Sequence, residues 1–79
     1  MSRTLDAQRH EALRAFMVER RKSAGLRQVD LAKRLGRSQS YVSHIEIGQR
    51  HVALIELIKW AEAIGFDPEE AITEMAKIK

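Results

Sequence analysis

Four glycines divide the chain into short segments, and their spacing constrains the fold more than any other feature. Gly25, Gly36, Gly48 and Gly65 follow one another at intervals of eleven, twelve and seventeen residues. Glycine readily adopts the left-handed conformation that ends a helix, so these intervals predict short helices with a glycine near their ends. The sequence shows no strand-like alternation of apolar and polar residues. We therefore expect an all-α fold.

Apolar residues at helical spacing predict five helices between and beyond these glycines. Their expected bounds are about 7–23, 28–35, 39–46, 53–64 and 68–78. Ser38 is suited to cap the third helix, and Asp67 followed by Pro68 is a strong start signal for the fifth. Because 79 residues bury only a modest core, we expect residues 1–79 to form a single domain.

Composition excludes several classes of function. Cysteine is absent, which excludes disulfides, thiolate catalysis and cysteine-based zinc sites. The longest apolar stretch, residues 52–55, is far shorter than the about 20 residues of a membrane span. The N-terminal residues lack the apolar centre of a signal peptide. The expectation is a small soluble protein that resides in the cytoplasm.

The net charge of +3 conceals a polarised chain. Residues 1–50 contain eleven basic and five acidic side chains, a net +6, whereas residues 51–79 contain three and six, a net −3. A basic segment of this kind indicates a polyanionic partner such as nucleic acid. The uneven charge by itself is explained about equally well by a helical surface that is simply solvated and binds no polyanion.

The second and third helices are separated only by Gly36-Arg37-Ser38. A glycine-containing turn of this length is typical of a helix-turn-helix motif, here about residues 28–46, although spacing alone also allows an ordinary helical hairpin. The two sides of the third helix favour the motif. At about 100° per residue, Val42 and Ile45 lie on one side. The other side carries four uncharged polar residues: Gln39, Ser40, Ser43 and His44.

Glutamine, serine and histidine side chains can hydrogen-bond to base edges in the major groove of DNA. Basic residues flank this polar row instead of occupying it, and they are Arg27, Lys33, Arg34, Arg37 and Arg50. Neutral readers flanked by cations match the division between base contacts and phosphate contacts. We favour this interpretation over a merely solvated face.

Residues 26–50 read LRQVDLAKRLGRSQSYVSHIEIGQR. This run of Gln, Leu-Ala, a glycine turn, Ser-x-x-x-Val-x-x-Ile-Glu and Gly-x-Arg closely resembles the Cro/CI-type (XRE) helix-turn-helix family of DNA-binding repressors. The likeness covers about residues 13–72. It implies a five-helix, lambda-repressor-like domain that acts as a sequence-specific regulator of transcription. The implied regulator is a repressor that binds double-stranded DNA as a homodimer on a palindromic operator.

The resemblance also implies roles for single residues. It assigns base reading to Gln39, Ser40, Ser43 and His44. It assigns contacts with the DNA backbone to Gln28, Arg37, Ser38, Tyr41 and Arg50, and Gln28 would also brace the first reading residue. Arg27, although it departs from the family pattern, is expected to add a further cation near the DNA backbone. Arg21 and Glu46 fall where some members form a structural salt bridge between the first and third helices. Arg27 departs from the usual Ser or Thr cap, and Ile47 and Val52 depart from the usual sequence after the recognition helix.

The apolar face of the fifth helix has two interpretations. It either completes the core or forms a contact between two copies, because palindromic operators are read by two-fold dimers. The candidate dimer residues are Phe66, Ile72, Met75 and Ile78, with Ile64 beside them. We expect a homodimer.

Other sequence features do not indicate catalysis or ligand binding. His10, His44 and His51 lack the spacing of a metal site, and no nucleophile motif of a hydrolase is present. We expect no cofactor, no small-molecule substrate, no membrane association and no enzymatic activity, and we expect Trp60 to be a packing residue. The alternatives that stay open are an antitoxin, a restriction–modification controller and a protein-interaction adaptor with a helix-turn-helix scaffold.

Overall fold

The computed structural model describes residues 4–79, which form five α-helices and no strand. The helices are α1 (Leu5–Ser23), α2 (Gln28–Leu35), α3 (Gln39–Glu46), α4 (Leu54–Ile64) and α5 (Pro68–Ala76). The predicted all-α, five-helix architecture is confirmed. Three ends differ from the prediction: α1 begins at Leu5, α4 begins at Leu54 and α5 ends at Ala76. Arg3, one of the basic residues counted above, lies outside the described residues.

Side-chain caps explain where three of the helices begin. Thr4 Oγ1 accepts a hydrogen bond from the Ala7 N–H at 3.0 Å, which starts α1 earlier than the apolar pattern indicated. Ser38 Oγ accepts from the Tyr41 N–H at 3.2 Å, as expected for the cap of α3. Asp67 caps α5 ahead of Pro68.

Gly36 makes the short turn between α2 and α3 possible. Its φ of +67° is left-handed, a conformation that costs a residue with a side chain about 1–2 kcal/mol. The Arg37 N–H then donates back to the Ala32 carbonyl at 2.9 Å and closes the end of α2. A turn of only three residues, 36–38, therefore suffices to connect α2 to α3.

The core lies where α1, α2, α3 and α4 meet, and Ala71 of α5 closes it. Its largest fully buried side chains are Met17, Leu31, Val42, Ile45 and Trp60. The prediction that Trp60 packs in the interior is confirmed. Its indole Nε1 donates a hydrogen bond to Tyr41 Oη at 3.3 Å, so the polar atom of this side chain is satisfied.

Helical spacing predicts an inner face of α4 formed by Leu54, Leu57, Ile58, Ala61 and Ile64, and this prediction is partly wrong. Leu57 and Ala61 are buried beside Trp60, but Leu54 and Ile58 are exposed. The helix LIELIKWAEAI is apolar over most of its circumference. Periodicity identifies the buried side only when one side is distinctly more polar, so it does not locate the inner face here.

A buried ion pair joins the ends of three helices. Arg21 of α1 donates to Glu46 of α3 through Nε at 2.7 Å and Nη2 at 3.0 Å, and its Nη1 donates to the Leu26 carbonyl at 2.7 Å. Gln28, the first residue of α2, donates from Nε2 to Glu46 Oε1 at 2.8 Å. The Arg21 and Glu46 side chains are only 8% and 5% exposed. This network sets the position of α3 against α1 and α2.

The network predicts a large loss of stability when one partner is removed. Glu46→Ala leaves the Arg21 guanidinium buried without its counter-ion, and we expect it to lower the free energy of unfolding by about 3–5 kcal/mol. The measurement is urea denaturation followed by circular dichroism.

Glu70→Ala is the matched control, because Glu70 forms an exposed pair with Arg20 at 2.6 Å. Exposed pairs contribute about 0–1 kcal/mol. Equal losses for the two variants would show that the buried pair does not hold the helices together.

Candidate nucleic-acid interface

The side of α3 that faces away from the core is polar and uncharged. Val42 and Ile45 are fully buried, and their packing sets the rotation of the helix about its axis. The opposite side consists of four residues, of which Gln39, Ser40 and His44 are exposed and Ser43 is half-buried. These are the four predicted base-reading residues. The structure brings them together on one outward surface, with donors and acceptors suited to base edges.

Two arginines lie beside this surface against the ring of Tyr41. The Arg37 Cζ is 3.8 Å from the ring centroid, and the Arg50 Cζ is 5.2 Å from it. Cations at these distances are attracted to the face of an aromatic ring. Arg37 precedes α3 and Arg50 follows it, so the ring brings together two guanidinium groups that are thirteen positions apart in sequence. Guanidinium groups bind phosphate oxygens in a bidentate manner.

Tyr41 has a different setting from the one expected for a phosphate contact. Its side chain is buried, and its hydroxyl donates to Glu56 Oε2 at 2.8 Å while accepting from Trp60. Burial raises the pKa of the Tyr41 hydroxyl. On the helical wheel Tyr41 lies about 200° from Gln39, close to buried Ile45 at about 240°. That angle was the signal that Tyr41 belongs to the packed side.

Gln28 also differs from its expected role. Its amide nitrogen bonds to Glu46, at the C-terminal end of α3, and not to the first reading residue, Gln39. A buried carboxylate is a stronger acceptor than a neutral side chain, which explains the choice of partner. Gln28 therefore helps to hold the C-terminal end of α3 in place, at the opposite end of the helix from Gln39. Ser38, another expected phosphate contact, uses its side-chain oxygen as the cap of α3.

Asp30 replaces the missing Ser or Thr cap of α2. Its carboxylate accepts from the Arg27 backbone N–H and from the Arg27 guanidinium, with all three contacts at 2.9 Å. The hydrogen bond from the Arg27 side chain is the main reason that the pKa of Asp30 falls to about 2. The same contact raises the pKa of Arg27. The predicted phosphate contact Arg27 is thus paired with a neighbouring carboxylate.

The sequence indicated that Asp30 and Glu56 are solvated or helix-end charges, and the structure places both at helix ends, where each accepts a hydrogen bond from a cap N–H. Both are acidic residues three positions after a helix cap that has no capping oxygen, Arg27 and Ala53 respectively. An acid at this third position reaches back to the cap N–H, and that spacing was the available signal.

The Arg27–Asp30 contact predicts a pH-dependent effect. Replacing Arg27 by Ala should raise the pKa of Asp30 from about 2 towards its ordinary value of 3.8. In the wild-type protein the pair makes its full contribution to stability above about pH 4, because Asp30 is ionised there in both the folded and the unfolded chain. This contribution is lost as the pH falls through about 2, where Asp30 becomes protonated in the folded chain as well. A carbon-detected NMR titration of the Asp30 carboxyl measures the shift.

Arg27→Lys is the matched variant for this titration, because it keeps the charge but loses the two-pronged contact. We expect an Asp30 pKa between those of the parent and the Arg27→Ala protein. An unchanged Asp30 pKa in Arg27→Ala would contradict the assigned cause.

A second surface, on α4 and α5, is apolar and exposed. Leu54, Ile55, Ile58 and Ile72 are 61%, 62%, 38% and 48% exposed, and we name these four residues the α4 apolar face. Of the four predicted dimer residues, only Ile72 belongs to it. Phe66 packs edge-on against Phe16 with 5.4 Å between ring centroids, and Met75 and Ile78 are half-buried. The prediction overlooked Leu54 and Ile58 because helical spacing placed both on the inner face of α4, and it assigned no role to Ile55.

The other residues that the sequence singled out belong to neither of these two surfaces. The rings of His10 and His51 stack on each other with 3.8 Å between centroids, and residues 4–79 contain no group of three or more His, Cys, Asp or Glu side chains arranged for a metal. Ile47 is exposed, whereas Val52 packs against the core. No helix among the described residues has the length and apolarity needed to cross a membrane.

Known proteins share this arrangement. The family model described as helix-turn-helix, HTH_3, matches residues 17–70. An uncharacterised HTH-type transcriptional regulator, y4dJ, from Sinorhizobium fredii is 38% identical over 53 residues, which span 67% of this chain and 69% of that protein.

Solved structures show the same likeness. An XRE-family like protein from Pseudomonas syringae pv. tomato is 37% identical, with a TM-score of 0.85 over 90% of this chain and 87% of that one. The clp gene regulator ClgR from C. glutamicum is 27% identical, with a TM-score of 0.78 over 95% and 92%. The restriction-modification controller protein C.AhdI from Aeromonas hydrophila is 35% identical, with a TM-score of 0.72 over 78% and 94%.

The chain belongs to the helix-turn-helix family and is of the XRE type. Its relatives include a protein named as an HTH-type transcriptional regulator, and regulators of this family bind DNA. The resemblance of residues 26–50 to the XRE-type helix-turn-helix family is confirmed, together with the five-helix fold that it implied.

Proposed function

We propose that this protein is a sequence-specific repressor of transcription that binds double-stranded DNA through α3. The observation that carries the proposal is the row of exposed neutral polar residues on α3, with Arg37 and Arg50 beside it. Family membership supports DNA as the partner. The concentration of positive charge in residues 1–50 supports the same partner.

In the proposed complex α3 lies in the major groove. Gln39 bonds to adenine, His44 donates to guanine, and Ser40 and Ser43 supply shorter contacts. The backbone contacts come from Arg37 and Arg50, with Arg27, Gln28, Ser38 and Tyr41 nearby as secondary candidates. Such contacts fix the register of the protein on the duplex, whereas the neutral row supplies the sequence preference.

This division of roles predicts distinct effects of two kinds of substitution. Gln39→Ala and His44→Ala should each lower discrimination between base pairs by about 1–3 kcal/mol at the positions they contact. The measurement starts with the duplex that the wild-type protein selects from a random pool. Competition binding then compares that duplex with its single-base-pair variants.

Arg37→Ala is the control for these variants. It should weaken binding to every duplex by a similar factor, and it should flatten the dependence of log affinity on log salt by about 0.9, the value for one phosphate contact. An Arg37→Ala protein that changes sequence preference more than overall affinity would contradict the division. A wild-type affinity that does not depend on salt would contradict the proposed function itself.

The repressor is proposed to act as a homodimer on a palindromic operator. One α3 helix offers only four reading residues, and a two-fold dimer doubles that number with half-sites about 34 Å apart. The α4 apolar face is the surface that suits such a contact, because clustered exposed apolar side chains mark interaction sites. A two-fold interface places the same patch on both copies.

Ile55→Glu tests this interface, since it puts a charge on the most exposed residue of the α4 apolar face. We expect sedimentation equilibrium to show a shift from dimer to monomer and DNA affinity to fall by at least tenfold, about 1.4 kcal/mol. Ile47→Glu is the control for the mass measurement, because Ile47 is equally exposed but lies between α3 and α4. If the Ile55→Glu protein remains a dimer, the α4 apolar face is not the dimer interface.

A second candidate function is control of a restriction–modification system. The likeness to C.AhdI, which is described as a controller protein of that kind, favours it. A controller would be encoded beside a restriction endonuclease and a methyltransferase, and it would bind the duplex upstream of its own gene. If both properties are absent, the controller function is rejected and the more general proposal of a repressor stands.

A further inference from the structure

Glu56 accepts three hydrogen bonds from three different segments of the chain. Its Oε1 accepts from the Ala53 N–H at 3.0 Å, which caps α4. Its Oε2 accepts from the Tyr41 hydroxyl of α3 at 2.8 Å and from the Arg50 guanidinium in the loop between α3 and α4. One carboxylate therefore joins the reading helix, the loop after it and the start of α4.

The carboxylate is well shielded from water and stays charged. The Glu56 side chain is only 14% exposed, whereas that of Arg50 is 48% exposed. Burial acts to raise the pKa of Glu56, but the hydrogen bonds from Ala53, Tyr41 and Arg50 together lower it below its ordinary value. A fixed negative charge is thus present beneath a guanidinium that reaches solvent.

The contact fixes the direction of a side chain that would otherwise be mobile. Arginine has many rotamers, and ordering it on binding costs conformational entropy. In this structure the Arg50 guanidinium is held on one side by Glu56 and rests near the Tyr41 ring. Arg37 stacks on the same ring. Both guanidinium groups are consequently placed at the same aromatic ring, with each Cζ within 5.2 Å of its centroid, before any partner binds.

We propose that Glu56 is a positioning residue for DNA binding, which holds Arg50 beside Arg37 so that both guanidinium groups meet one stretch of phosphate backbone. The inference rests on the proposed function and adds an acidic residue that itself does not touch DNA. Removing this acid weakens the complex, although long-range electrostatics alone would make the loss of a negative charge strengthen it.

A double-mutant cycle between Glu56 and Arg50 tests the proposal. Glu56→Gln keeps a carbonyl oxygen for the Ala53 N–H and an amide that can donate to the Tyr41 oxygen, but it no longer attracts Arg50. We expect Glu56→Gln to lower affinity for the selected duplex about five- to tenfold in the wild-type background and less than about twofold in the Arg50→Ala background. Binding is measured at a temperature where circular dichroism shows all four proteins folded.

Glu62→Gln is the matched control, because Glu62 is an exposed carboxylate on the same helix. It changes the net charge equally, and we expect it to change DNA affinity less than about twofold. A readout in the free protein accompanies the cycle. The Nη2–H resonances of Arg50, the group that donates to Glu56, should be protected from exchange with water in the wild type and unprotected in Glu56→Gln.

The outcomes separate this proposal from the proposed function. A wild-type protein that binds no duplex rejects both. A wild-type protein that binds, with equal effects of Glu56→Gln in the presence and absence of Arg50, rejects only the positioning role. Tighter binding by Glu56→Gln in both backgrounds also rejects it, and would show that Glu56 acts by charge repulsion.

Discussion

The buried ion pair between Arg21 and Glu46 is the interaction on which the arrangement of the reading helix depends. α3 has only eight residues, and a helix of that length is not stable by itself. Val42 and Ile45 pack its inner side into the core, which sets its rotation. Glu46 then attaches its C-terminal end to α1 and, through Gln28, to the start of α2. The outward direction of the polar row follows from these contacts.

Glu56 performs a comparable task near the other end of α3. Tyr41 connects the first turn of the helix to Glu56 and to Trp60 of α4. These two hydrogen bonds hold the reading helix against α4. Both carboxylates are shielded from solvent, and the outward side of α3 carries no acidic residue. Acidic groups therefore hold the helix in place while the surface proposed to face DNA remains neutral or positive.

The parts of the structure that local chemistry determines could be predicted from the sequence. Gly36, Ser38 and Asp67 mark helix ends through backbone preferences that act within a few residues. The outward side of α3 followed from Val42 and Ile45, because the rest of that helix is polar. The Arg21–Glu46 pair joins residues 25 positions apart, and only the family resemblance indicated it.

Other parts depend on tertiary contacts that local patterns do not contain. α4 is apolar over most of its circumference, so its exposed face at Ile55 and Ile58 is decided by how α2 and α5 pack against it. The long polar side chains of Gln28 and Glu56 can each reach several partners. Gln28 bonds to the buried carboxylate of Glu46, whereas Glu56 bonds to Tyr41, Arg50 and the Ala53 N–H. These partners come within reach only in the folded chain.

The central claim is that the neutral row of α3 and its two flanking arginines form the DNA surface. The most direct measurement is amide and side-chain NMR of the isotope-labelled protein during titration with the duplex it selects. The account predicts that the largest changes fall on Gln39, Ser40 and His44 and on the Nε–H signals of Arg37 and Arg50. Changes confined to α1 or α5, with these five residues unaffected, would contradict it.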